Sequence, residues 1–220
     1  RTPLWGRYYE TLGESPYVSA TMGSIFVKAV QENKEIAPYK IAATAKHFFA
    51  YSEPKFGWDR GPVDLSTQSL YEFHLPSFKA AINAGISTVM INSGEINGEP
   101  VHASHWILTE ILRDELKFKG VAVTDWEDII RLYRNHKVAV DEKDATYKAI
   151  MAGVDMAMTP YTLKFHDYLV ELVKEGRISM ERIDLSVSRI LRLKYETGLF
   201  ENPYPRNDRF NRIGSPENKA

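Results

Sequence analysis

Asp125 stands directly before Trp126 in the stretch Val121-Ala122-Val123-Thr124-Asp125-Trp126, where a short β-branched run gives way to a carboxylate and an indole. That pairing suits sugar chemistry. Sugar C–H faces pack on Trp, sugar hydroxyls need ionic partners, and glycoside hydrolysis runs on paired carboxylates flanking the scissile bond. The same types also fit a helix N-cap, with Asp125 turning the chain into the segment that starts at Ile129. A second pair, Lys46-His47, follows the apolar run Ile41-Ala42-Ala43-Thr44-Ala45. Adjacent side chains on a strand face opposite ways, so the two serve one ligand only where the strand finishes; otherwise they are a solvated basic pair. His74, His102, His105, His136 and His166 lack metal-ligand spacing such as H-E-x-x-H, so packing or solvated roles are expected, with no metal and no cofactor.

Positioning these groups falls to a repeating pattern. Four short apolar runs, 41–45, 86–91, 121–124 and 154–158, read as strands that end in polar or aromatic residues. Helical periodicity covers 66–84, 104–117, 143–152, 163–174 and 183–195, and Gly85, Gly120 and Gly153 mark turns into the next strands. Strands alternating with helices imply right-handed crossovers and a parallel α/β sheet, doubly wound or closed as a TIM-type (β/α)8 barrel. The barrel is favoured because chemistry-bearing residues sit past the C-terminal ends of several strands, and no G-x-G-x-x-G or Walker loop supports a nucleotide fold. Four strands make roughly the second half of a barrel over residues 1–200. The proline-rich, polar stretch 201–220 reads as a linker towards a further domain.

The 220 residues are 44% hydrophobic and 26% charged, ample for a folded core. With 28 basic against 29 acidic residues the net charge is −1, so nothing recruits nucleic acid, and neither charge nor any apolar run of about 18 residues points to a membrane. The lack of cysteine removes disulfides, thiolate catalysis and Cys-ligated zinc. The chain opens on Arg1 and reads as cut from something longer.

The opening stretch Arg1-Thr2-Pro3-Leu4-Trp5-Gly6-Arg7-Tyr8-Tyr9-Glu10-Thr11-Leu12-Gly13-Glu14-Ser15-Pro16 resembles the R-x-P-x-W-G-R-x-x-E-x-x-x-E-x-P signature of glycoside hydrolase family 3, the β-glucosidase and exo-glucanase family. Ala45-Lys46-His47-Phe48 is similar to its K-H-F strand end, Leu75-Pro76-Ser77-Phe78 to its L-P-x-F helix, and Asn97-Gly98-Glu99-Pro100 to its N-G-x-P loop. Leu112-Arg113-Asp114-Glu115 through Phe118-Lys119-Gly120 resembles the helix before its nucleophile strand. Val123-Thr124-Asp125-Trp126 is similar to its S-D-W motif and Ala152-Gly153-Val154-Asp155-Met156 to its A-G-x-D-M strand. Several motifs in one order are far more specific than any single one.

The resemblance implies a retaining exo-β-glucosidase in which Asp125 is the nucleophile and Arg7, Lys46 and His47 hold the hydroxyls of the sugar being transferred. Met90, Trp126 and Arg131 would line the same pocket, and Asp59 would orient His47 through its second nitrogen or shape a turn. Cationic Arg7 and Lys46 are expected to keep Asp125 ionised. Two departures stand out: Asn92-Ser93-Gly94 lies where many members carry a Tyr that contacts the nucleophile, and the loop Lys46-His47-Phe48-Phe49-Ala50-Tyr51 lacks the second His of the hexosaminidase type. The glucosidase type takes its general acid, a Glu, from a separate domain, leaving Glu53, Glu95 and Glu127 as surface or hydrogen-bonding carboxylates. The implied partners are β-linked glucosides or oligosaccharides, with an N-terminal barrel segment and a second domain of the same enzyme, in a periplasmic or secreted setting. A β-xylosidase of the same family and a non-catalytic half-barrel that only binds sugar are the alternatives.

Overall fold

The computed structural model describes residues 2–32, 41–204 and 214–216, so Arg1 and most of the 201–220 linker lie outside the described residues. Four parallel strands, β1 (Thr44–Phe48), β2 (Thr88–Ile91), β5 (Val121–Trp126) and β6 (Met156–Met158), pair in the order β1-β2-β5-β6. Neighbours in sequence are thus neighbours in the sheet, each pair joined by a helical crossover, as a barrel segment requires. The helices are α1 (Pro16–Gln31), α2 (67–83), α3 (Trp106–Glu115), α4 (Asp128–Arg134), α5 (Glu142–Ala152), α6 (Lys164–Lys174) and α7 (Met180–Glu196). None of them is long and apolar enough to cross a membrane.

Two elements go beyond the sequence pattern. Helix α1 follows a loop-like stretch, yet Ser15 caps it by accepting from the Val18 amide and Pro16 sits at its first turn, where a missing N–H costs nothing. The N-G pair lies in a hairpin joining β3 (Glu95–Ile96) to β4 (Glu99–Pro100), with Asn97 and Gly98 both at positive φ, as a tight two-residue hairpin turn demands. Strand β1 also runs three residues past its apolar run, through Phe48. Lys46 pairs with Met90 and Phe48 with Ile91, so His47 is an extra, bulged residue. The strand therefore does not finish at Lys46; the bulge re-aims one side chain instead.

The core lies between sheet and helices, where Phe48, Ile91, Leu108 and Leu112 are completely buried. Gln31, at the end of α1, accepts from the Ala43 and Ser87 amides and donates to Gly85 O, fastening the helix to the starts of β1 and β2. At the N-terminal end of β6, Asp155 is a fully buried anchor. Its Oδ2 accepts from Arg113 at 2.6 Å and from the Ala122 amide at 2.9 Å; its Oδ1 accepts from Ser186 and Arg189, both at 2.7 Å. One carboxylate thereby ties α3, β5 and α7 together, as is usual of the barrel face opposite the chemistry. Asp155→Ala would strand two largely buried guanidiniums, and urea unfolding should show a loss of about 3–5 kcal/mol. A loss below about 1 kcal/mol would show that Arg113 and Arg189 find water instead.

Candidate active site

Three strand ends and the loop after β1 converge on Asp125. The bulge in β1 sends His47 inward, where Nε2 lies 3.4 Å from Asp125 Oδ2. After β2, buried Asn92 donates to Phe49 O and accepts from the Gly94 amide, which fixes the turn so that Ser93 Oγ donates to Asp125 Oδ2 at 3.2 Å. Gly94 has to be glycine, since a Cβ would lie 2.9 Å from Gly61 O. From the loop after β1, Arg60 Nη2 approaches Asp125 Oδ2 at 3.4 Å while its Nη1 donates to Asp128 Oδ1 at 2.8 Å. The Trp126 amide donates to Asp125 Oδ1 at 2.6 Å. Asp125 is no N-cap: Glu127, in the left-handed region, occupies that position of α4.

The side chain of Asp125 is 16% exposed, enough to meet a ligand yet well withdrawn from water. Its carboxyl is held far below the ordinary carboxylate range, first by the hydrogen bond with His47, then by the Trp126 amide and the charges of His47 and Arg60, against the opposing effect of burial. This corrects the sequence expectation that Arg7 and Lys46 do so. Arg7 forks onto Glu10 through Nε and Nη2 at 2.8 and 3.0 Å, and Lys46 Nζ donates to the same carboxylate at 2.9 Å. Those two cations hold Glu10, at about 2, below its usual value.

Asp59 lies in the turn closed by the Gly61 amide on Trp58 O, as one of its two sequence readings had it, and its side chain bonds groups other than His47. Its Oδ1 accepts from Tyr51 Oη at 2.8 Å and Trp5 Nε1 at 3.2 Å, and Arg7 lies 3.8 Å away. It steadies Tyr51, whose ring packs 4.4 Å from that of His47, so any effect on His47 passes through Tyr51. Arg131 reaches Asp128, at 3.7 Å. Met90 is half-buried on β2 between Lys46 and Val123, and Trp126 is half-exposed with Tyr161 at its edge, 5.8 Å between ring centres. Sequence reasoning missed Arg60, Glu10, Ser93 as the donor, and Tyr161; the charged Asp59-Arg60 pair between two glycines was the only local hint of Arg60. Glu53 bonds His74, Glu95 bonds His136, and Glu127 donates its amide to Met158 O. A cavity of about 220 Å³ lies between β1, α1 and α2 and meets the site at Trp5, Glu10, Lys46, His47 and Tyr51. Among the described residues no cluster could hold a metal ion.

An ionised carboxylate so placed is equipped to attack an electrophilic carbon, with aromatic faces beside it and cations near enough to grip hydroxyls. Removing Arg60 takes away a nearby cation, so in Arg60→Met the Asp125 carboxyl should titrate about one unit or more higher by ¹³C NMR. A change below about 0.3 unit would leave His47, Ser93 and the Trp126 amide as its supports.

Comparison with known proteins fits this geometry. The profile of the Glycosyl hydrolase family 3 N terminal domain matches residues 1–193. A lysosomal beta glucosidase of Dictyostelium discoideum is 49% identical over 209 residues, covering 92% of this chain and 26% of that protein. A beta-xylosidase of Formosa agariphila is 37% identical over 90% of this chain and 28% of its own length. The crystal structure of a beta-glucosidase from Listeria innocua in complex with isofagomine superposes with a TM-score of 0.90 at 35% identity, over 98% of this chain and 30% of that one. The chain thus spans between a quarter and a third of the length of these relatives.

Proposed function

Because the chain belongs to glycosyl hydrolase family 3, we propose that it carries the nucleophile of a retaining, exo-acting β-glucosidase, on a segment of the family's (β/α)8 barrel. The observation that carries this reading is the partly exposed carboxylate of Asp125, kept ionised at the C-terminal end of β5 by donors from three separate segments. An Asp125 oxygen attacks the anomeric carbon of a terminal β-glucosyl unit; a C–O bond to the enzyme forms as the glycosidic C–O bond breaks, and water later hydrolyses the ester. The departing oxygen takes its proton from a general acid outside these residues. Asp128 is too deeply buried for that task.

Arg7 and Lys46 meet the hydroxyl edge of the sugar, with Glu10 holding both cations in place until substrate arrives. Trp126 and Tyr161 form the aromatic wall at the mouth. Residues 1–200 belong to the catalytic barrel and 201–220 lead on to a further domain. Edges of β1 and β6 that pair with no strand among the described residues, and the exposed Met22, Ile25 and Phe26 of α1, support completion of the barrel by other segments.

In the complete enzyme, Asp125→Asn should lower kcat by about 10³-fold or more while circular dichroism and unfolding stay near the parent's, because an amide keeps the shape and cannot attack. Turnover within tenfold of the parent would remove Asp125 from the nucleophile role. The sugar is decided by kcat/KM on aryl β-glucoside against aryl β-xyloside, which differ by one hydroxymethyl group. Glucoside should lead by at least about tenfold, the scale of one such group in a fitted pocket, and a reversed ratio would make the enzyme a β-xylosidase.

A further inference from the structure

Behind Asp125 lies a second carboxylate that the hydrolytic step never touches. Asp128 stands in the first turn of α4 with its side chain 1% exposed. Its Oδ1 takes the 2.8 Å hydrogen bond from Arg60, but its Oδ2 has no hydrogen-bond partner. Nε2 of His102, from the short turn Val101–Ala103, lies 3.7 Å from that carboxylate oxygen, equally buried and equally without a partner. The other nitrogen of His102 is hydrogen bonded to the main chain of Asn92. A neutral imidazole that donates there presents Nε2 as a bare acceptor. Two buried acceptors then face each other, and the Ser93 hydroxyl, which also serves Asp125, is among the described residues the one donor beside Asp128 apart from its cations; such a pairing costs free energy unless a proton lies between them.

We propose that Asp128 and His102 hold one proton between them, and that this proton sets how much of the Arg60 charge is left for Asp125. With the proton in place, Asp128 donates through Oδ2 to His102, still accepts through Oδ1 from Arg60, and is neutral. The guanidinium then balances Asp125 alone. Without the proton, Arg60 faces two anions, and the nearer and drier one, Asp128, takes the larger share.

The surroundings agree on which partner keeps the proton. Burial pushes the Asp128 carboxyl up to about 6. Burial pushes His102 down to about 3, with His136 adding to the effect. Facing Asp128 are Arg60 from the loop after β1, Ser93 after β2, Asp125 on β5, Arg131 on its own helix and His102; beyond His102 lies His136, hydrogen bonded to Glu95. Arg60, Ser93 and Arg131 favour the carboxylate, while burial and Asp125 favour the protonated acid. Asp128 is thus a positioning residue that acts through Arg60.

Infrared difference spectra of the parent protein and of Asp128→Asn, with ¹³C NMR of the Asp125 carboxyl, test both halves without needing turnover, so the result stands apart from whether Asp125 is the nucleophile. The parent should show a protonated-carboxyl stretch that outlasts the exposed carboxylates and disappears with a midpoint at or above about 6, and the variant should lack it. The Asp125 resonance should move with the same midpoint in the parent and stay still through that range in the variant. No such band in the parent, or a band that survives in Asp128→Asn, overturns the shared proton. An Asp125 resonance that moves identically in both proteins overturns the coupling through Arg60.

Discussion

A carboxylate that is partly withdrawn from water must be kept charged, and around Asp125 that demand organises the structure. Water would stabilise the anion in the unfolded chain; in the folded chain His47, Ser93, Arg60 and the Trp126 amide replace it. Because the carboxyl is held below its unfolded value, this stabilisation is complete above about pH 4 and is lost as the pH falls through the folded-state value. Each side-chain donor needs a special piece of backbone: the bulge of β1 for His47, the Asn92-pinned turn for Ser93, and a loop with Arg60 itself at positive φ that packs against Gly94.

The same chemistry serves an opposite purpose at the other end of the sheet. Asp155 is also an anion surrounded by donors, but its side chain is wholly buried and its partners, Arg113, Arg189 and Ser186, reach in from helices. It holds elements together and meets no solvent. Asp125 sits where strands end and loops begin, so its donors leave an opening for a ligand. The division between a stabilising N-terminal face and a reactive C-terminal face is the one a parallel β/α barrel makes available.

Much of this was legible in sequence, and the failures have physical causes. Apolar runs and helical stripes located all four sheet strands and the later helices because burial on one face imposes a period. The end of β1 escaped because a bulge keeps polar Lys46 and His47 inside the strand, which no periodicity reveals. Helix α1 was signalled by Ser15-Pro16 but hidden by the Gly- and aromatic-rich loop before it. Motif resemblance pointed to Asp125, His47 and the Arg7-Lys46 pair. It could not tell that Glu10 gathers the last two, or that Arg60 bridges Asp125 and Asp128, since all of those pairings but the local Arg7–Glu10 one join residues 36 to 68 positions apart.

The central claim, that Asp125 forms a bond to sugar, is tested most directly with a 2-deoxy-2-fluoro-β-glucosyl substrate carrying a dinitrophenolate leaving group. That group departs without a proton, so the test does not depend on the general acid, and the fluorine slows the later hydrolysis so that the ester accumulates. Peptide mapping by mass spectrometry should place one fluoroglucosyl unit on Asp125 of the complete enzyme. A label on Glu127 or Asp128, or full inactivation with Asp125 unmodified, would contradict the account.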